Sequence, residues 1–207
     1  ISFFSIIHMA VKFNITFVER TIPKDPRLAA LKYWCGRFQR VNLTPLYHNR
    51  SLGNLSFRLH EDGNAFVITA AALALKDTLT DDSFVIVHSY DNLSRTIIAS
   101  GTREPSSESV LHYGVYAARH DTNAVFHGHS GRILRTSDVL GLTTTRKFED
   151  YGSLELAASV LEVLDDESFI VMKNHGFLSL GRTMDEAGTR ALEIRRRAKS
   201  IKTAREV

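Results

Sequence analysis

The 207-residue sequence has a hydrophobic fraction of 43%, a charged fraction of 24% and a formal net charge of +3. That is the balance of an ordinary soluble globular protein, and residues 1–207 read as a single domain. Its one cysteine, Cys35, excludes an intramolecular disulfide and fits a reducing cytoplasm. No apolar run approaches the roughly 20 residues of a membrane span. The basic runs at 195–197 and 199–205 lack interleaved aromatics, so they read as a solvated helix end and not as a nucleic-acid surface.

In chain order, residues 1–25 read as an N-terminal extension whose short apolar start, residues 1–10, is a strand or a frayed end. Residues 27–40 form a helix after Pro26, with Leu28, Leu31, Cys35 and Phe38 on one stripe. Strands follow at 52–59 and 65–69 around the turn Glu61-Asp62-Gly63-Asn64. A second pair, 84–88 and 96–99, is joined through Asp91-Asn92. The short turns make these four strands largely antiparallel. A helix over 106–119 starts after Pro105, with Ser106 or Ser107 as cap and Val110, Leu111 and Val115 inward. Residues 123–129 form a strand and 153–164 a helix. Strands at 169–173 and 177–180 flank an Asn-His-Gly turn, and a last helix runs from residue 184 into the basic end at 195–207. The alternation predicts an α/β fold, a three-layer α/β/α domain around a mainly antiparallel or mixed sheet.

Chemistry concentrates at a few positions. In His127-Gly128-His129 the two imidazoles lie two residues apart on a strand, hence on one face. Such a pair suits two ligands of one zinc ion, whose catalytic sites commonly use three protein ligands and an open position. His175 is a candidate third ligand at the end of an apolar strand; alone, it reads better as a turn histidine at the Asn-Gly corner. Glu108, after Ser106 and Ser107, is either a carboxylate at a helix start or a general acid/base beside a metal. The serines and free N–H groups there form an anion site. No glutamate stands in 130–135 as a cupin would require, the chain is short for a barrel of about 250 residues, and the His-Glu-x-x-His pattern is absent.

Several motifs in order resemble the class II aldolase/adducin family, whose members include fuculose-phosphate aldolase. They are Gly53-Asn54-Leu55-Ser56-Phe57-Arg58; Pro105-Ser106-Ser107-Glu108 with His112; Asn123 to His129; Tyr151-Gly152-Ser153; and Asn174-His175-Gly176. The resemblance implies zinc, or another divalent transition metal, on His127, His129 and His175, with Glu108 as catalytic acid/base. It also implies a homotetramer and a small keto-sugar or sugar-phosphate substrate, with no nucleic-acid or membrane partner. The expected reaction is retro-aldol cleavage by a carbon–carbon lyase through an enediolate whose charge the metal stabilises. Dehydratases and decarboxylases of sugar phosphates share the scaffold, and a non-catalytic adducin-like module is the alternative of another class. Glu108 argues against epimerases, which resemble one another in having aspartate there.

The sequence departs from the family's pattern at three places. Ala70-Ala71-Ala72 replaces a hydroxyl–glycine pair of the phosphate pocket, leaving Asn54, Ser106, Ser107 and Ser51 as anion contacts. Thr143–Thr145 and Arg146 occupy a region where relatives place a tyrosine proton donor. No longer tail brings a second tyrosine after Val207.

Overall fold

In a computed structural model, residues 13–201 are described. The reading of residues 1–10 as a strand or frayed end falls outside them. The strands are β1 (Asn14–Glu19), β2 (Leu46–Tyr47), β3 (Arg50–Ser51), β4 (Asn54–Arg58), β5 (Phe66–Thr69), β6 (Phe84–Asp91), β7 (Thr96–Ser100), β8 (Ala124–Gly128), β9 (Thr143–Thr144), β10 (Phe169–Met172) and β11 (Gly176–Gly181). The helices are α1 (Leu28–Arg40), α2 (Ser109–Ala118), α3 (Gly131–Leu140), α4 (Leu154–Leu161) and α5 (Met184–Ser200). Nine strands form one sheet in the order β1-β7-β6-β5-β4-β8-β11-β10-β9, and β2 and β3 make a separate hairpin. The sheet is mixed: β1 and β9 join its two edges in parallel, and every other pairing is antiparallel.

Alternation along the strands supplies two cores, one on each face. Ile68, Val85, Val125, Ile170 and Leu178 meet α2 and α4 through Leu111, Val115, Leu156 and Val160. Leu55, Val67, Phe126, Val171 and Phe177 meet α1, α3 and α5 through Leu31, Phe38, Ile133, Ala191 and Ala198. The expected three-layer architecture is therefore present. Among the described residues, no helix is long and apolar enough to cross a membrane.

Three local expectations change. The span taken as an extension contains β1, which pairs with β7 from Asn14↔Thr96 onwards and belongs to the sheet. α3 occupies residues where no element was expected; Ser130 caps it by accepting Ile133 N–H, and Gly141 ends it at a φ of 66°. α2 begins at Ser109 instead of 106, because Pro105 is still held by a bridge to Ala70. Glu108 therefore stands at the N-cap position, but its side chain makes no capping bond.

Candidate metal centre

The sheet fixes where the first histidine falls. His127 lies in register between Asn54 of β4 and Leu178 of β11. His129 follows just beyond β8, its N–H bonded to Leu43 O at 2.7 Å. His175 ends the turn from β10 to β11, where Asn174 adopts a φ of 56° and His175 N–H bonds Met172 O at 3.0 Å. Their candidate ligand nitrogens lie within 4.8 Å of one another. Three imidazole nitrogens this close could hold one divalent ion, the donor set that zinc favours.

Glycines make this approach feasible. A Cβ on Gly176 would lie 2.7 Å from His127 Cε1 and 2.5 Å from Gly128 O; one on Gly128 would lie 2.6 Å from Phe177 Cζ. Both positions hold the tip of the β8–β11 pair tightly around the His127 ring.

The protonation pattern fits a cation. His127 Nδ1 is 2.9 Å from Phe177 O, and a carbonyl only accepts, so Nδ1 carries a proton. This is the second hydrogen bond that usually orients a ligating histidine. Its Nε2 lies 3.1 Å from Glu108 Oε2, and His175 Nε2 lies 3.1 Å from Glu108 Oε1. Yet His127 Nε2 and Glu108 Oε1 are both buried without a hydrogen bond. A buried lone pair facing a carboxylate requires a second proton or a metal ion between them. Burial would raise the Glu108 carboxyl, but the His127 and His175 charges outweigh it and hold the group well below the usual carboxylate range. Burial, then the charges of His127 and His175, pulls His129 well below the usual imidazole range. A neutral imidazole is the form that ligates.

Behind the centre, β4 and α2 are joined by polar side chains. On a strand, residues 54, 56 and 58 share a face; on a helix, residues four apart do. Asn54 Nδ2 donates to Glu108 Oε2 at 2.7 Å. Ser56 Oγ lies 2.7 Å from both His112 Nδ1 and Tyr116 OH. Arg58, only 2% exposed, donates to the carbonyls of Tyr116, Arg119, Thr122 and Gly63. Gly-Asn-x-Ser-x-Arg is thus the strand half of a polar seam, and Glu108, His112 and Tyr116 are the helix half. The sequence displayed both spacings, but His112 entered only as part of a motif and Tyr116 was missed.

His129 and His175 open onto a cleft of about 410 Å³ that Asn54, Ser106, Ser107 and Ser51 all line, with His127 buried behind them. Ser51 contributes less than expected, since its hydroxyl lies 3.0 Å from both Gln39 Oε1 and Thr44 O and shares its one proton with these inward acceptors. Ala70, Ala71 and Ala72 form an apolar wall, with Ala72 at a left-handed φ of 57°. Lys76, Tyr47 and Tyr151 also face the cleft. Sequence reasoning missed all three as cleft residues, because no local pattern links them to the histidines.

Fold and side chains together define an α/β/α domain with a three-histidine cluster that could hold a metal, beside a buried carboxylate. Residues 41–201 match the class II aldolase and adducin N-terminal domain family, and the chain belongs to that family. It is 35% identical over 149 residues to an L-fuculose phosphate aldolase of Methanococcus maripaludis, covering 65% of this chain and 76% of the relative. A 5-deoxy-D-ribulose 1-phosphate aldolase of Bacillus thuringiensis is 28% identical over 157 residues, covering 69% of this chain and 70% of the relative. The fold matches the solved structure of a sugar-phosphate aldolase from Thermotoga maritima with a TM-score of 0.67 at 19% identity, covering 82% of this chain and 90% of that one.

Proposed function

We propose that this protein is a zinc-dependent carbon–carbon lyase that cleaves a small keto-sugar phosphate by a retro-aldol reaction, acting as a cytoplasmic homo-oligomer. The observation that carries the reading is the cluster of His127, His129 and His175, with nitrogens within 4.8 Å and Glu108 3.1 Å from two of them. Relatives named as aldolases of fuculose phosphate and deoxyribulose phosphate support both the reaction and the substrate class.

His127, His129 and His175 would hold the ion. A bound divalent metal supplies Lewis acidity at the substrate's carbonyl and adjacent hydroxyl oxygens, where negative charge develops as the bond breaks. Three neutral imidazoles leave that charge undiminished. Glu108 accepts the proton of the hydroxyl β to the carbonyl as the carbon–carbon bond breaks and returns it to the α carbon of the ketone fragment, as general base and then general acid. Asn54 holds Glu108 Oε2 at 2.7 Å and so aims the carboxylate. Ser106 and Ser107 bind the anionic end of the substrate at the start of α2.

The test is Glu108→Gln in the zinc-loaded protein, with products followed by NMR over a panel of keto-sugar phosphates. Turnover falls by about 10²–10⁴-fold while zinc content is unchanged. Full turnover in the variant would remove Glu108 from the chemistry. Dehydrated or decarboxylated products would replace the retro-aldol assignment.

A further inference from the structure

The segment between Ala72 and β6 places one lysine where a lysine is costly. Lys76 is 2% exposed and faces the cleft beside the histidines. Its backbone N–H donates to Gln39 Oε1 at 3.2 Å, the same oxygen that Ser51 Oγ reaches. Its Nζ donates to Ser51 O at 3.0 Å and Leu52 O at 3.3 Å. An ammonium has three donors, so one remains. Among the described residues, no carboxylate lies within ion-pair distance of Nζ. A buried cation without a counter-charge is expensive, and burial pulls Lys76 down to about 8.

The rest of the cleft shows what would complete this cation. Glu108 is the one acid among its lining residues, and its carboxylate already faces Asn54, His127 and His175. Asn54 Nδ2 gives one of its two protons to Glu108, and Ser51 turns its proton inward. The alanine wall at 70–72 offers no polar side chain. Fixed positive charge facing the space therefore comes from Lys76, with Arg50 exposed at the rim.

We propose that Lys76 is the specificity-determining cation of this cleft, pairing with an anionic group, a phosphate or a carboxylate, on the substrate. The assignment rests on the cleft being the substrate site, as proposed above. The competing role is purely structural, with Lys76 tying the 51–52 carbonyls so that β4 presents Asn54.

Three probes separate these roles by calorimetric titration with and without zinc. Glycolate has no second anion; 2-phosphoglycolate carries a phosphate there; diglycolate carries a carboxylate. The unmodified protein is expected to bind one anion-tailed probe about 10–100-fold more tightly than glycolate, the range of a charged hydrogen-bonded contact. Whichever probe gains identifies the group. Lys76→Met and Lys76→Gln are expected to abolish that preference and leave glycolate affinity unchanged. Equal weakening of all three probes, or a preference that survives both variants, overturns the proposal. So does an unmodified protein with no preference for either anion, a result that does not depend on the variants folding. Binding that depends on Lys76 but not on zinc would contradict the metal reading alone. Zinc-dependent glycolate binding without an anion preference would contradict the Lys76 reading alone.

Discussion

Gly176→Ala tests how tightly the backbone grips the His127 ring. The added Cβ would sit 2.5 Å from Gly128 O and 2.7 Å from His127 Cε1. Neither neighbour yields cheaply: the first is backbone just beyond the His127–Leu178 pair, and the second is pinned by the Nδ1 bond to Phe177 O at 2.9 Å. Forcing a methyl into such a contact costs about 1–3 kcal/mol. For a chain of this size each kcal/mol lowers Tm by about 2–4 °C, so a fall of about 2–12 °C is expected by calorimetry. Displacing the ring from its orienting carbonyl is also expected to weaken zinc binding by about 10–100-fold. Gly141→Ala is the control: Gly141 is left-handed at a φ of 66° with nothing within 4 Å of its Cβ position. It should lose about 1–2 kcal/mol to backbone strain and keep its zinc affinity. Unchanged zinc binding in Gly176→Ala, or equal weakening in Gly141→Ala, would refute the reasoning.

Two further substitutions probe the seam between β4 and α2. Asn54→Ala removes the 2.7 Å bond to Glu108 and should lower stability in urea by about 1.5–3 kcal/mol, the value of a hydrogen bond to a charged group; wild-type stability would show that Asn54 does not hold the carboxylate. His112, driven by burial and then by the His127 charge down to about 3, gives a pH prediction with a definite sign. The unfolded chain takes up that proton at about 6.5, so the stabilisation is full above that pH and is lost as pH falls towards 3. Its slope is at most about 1.4 kcal/mol per pH unit. His112→Phe should flatten the acid limb in denaturation curves measured across that window, and an unchanged slope would contradict it.

Much of this arrangement was legible in the sequence, where periodicity and chemistry coincide. The polar–apolar run at 52–59, the apolar return strand at 65–69 and the stripe Leu28, Leu31, Cys35, Phe38 report residues that the structure largely buries. His127-Gly128-His129 announced two imidazoles on one face because a strand alternates. α3 was missed because its buried positions are Ile133, Thr136 and Ser137, two of them polar, so no apolar stripe marks it. β1 was missed because a parallel edge strand has no hairpin partner nearby in sequence; it pairs with β7 across some eighty residues. The meeting of Glu108 with His127 and His175 was available only through the ordered motifs, since it depends on β4 placing Asn54 opposite His127.

The most direct measurement is zinc titration of the metal-stripped protein, with bound metal counted by elemental analysis, in the unmodified chain and in His127→Ala, His129→Ala and His175→Ala. One zinc per chain, lost or greatly weakened in each variant, is the predicted result. A chain that takes up no zinc, or variants that bind it undiminished, would contradict the assignment of these three histidines as a metal centre.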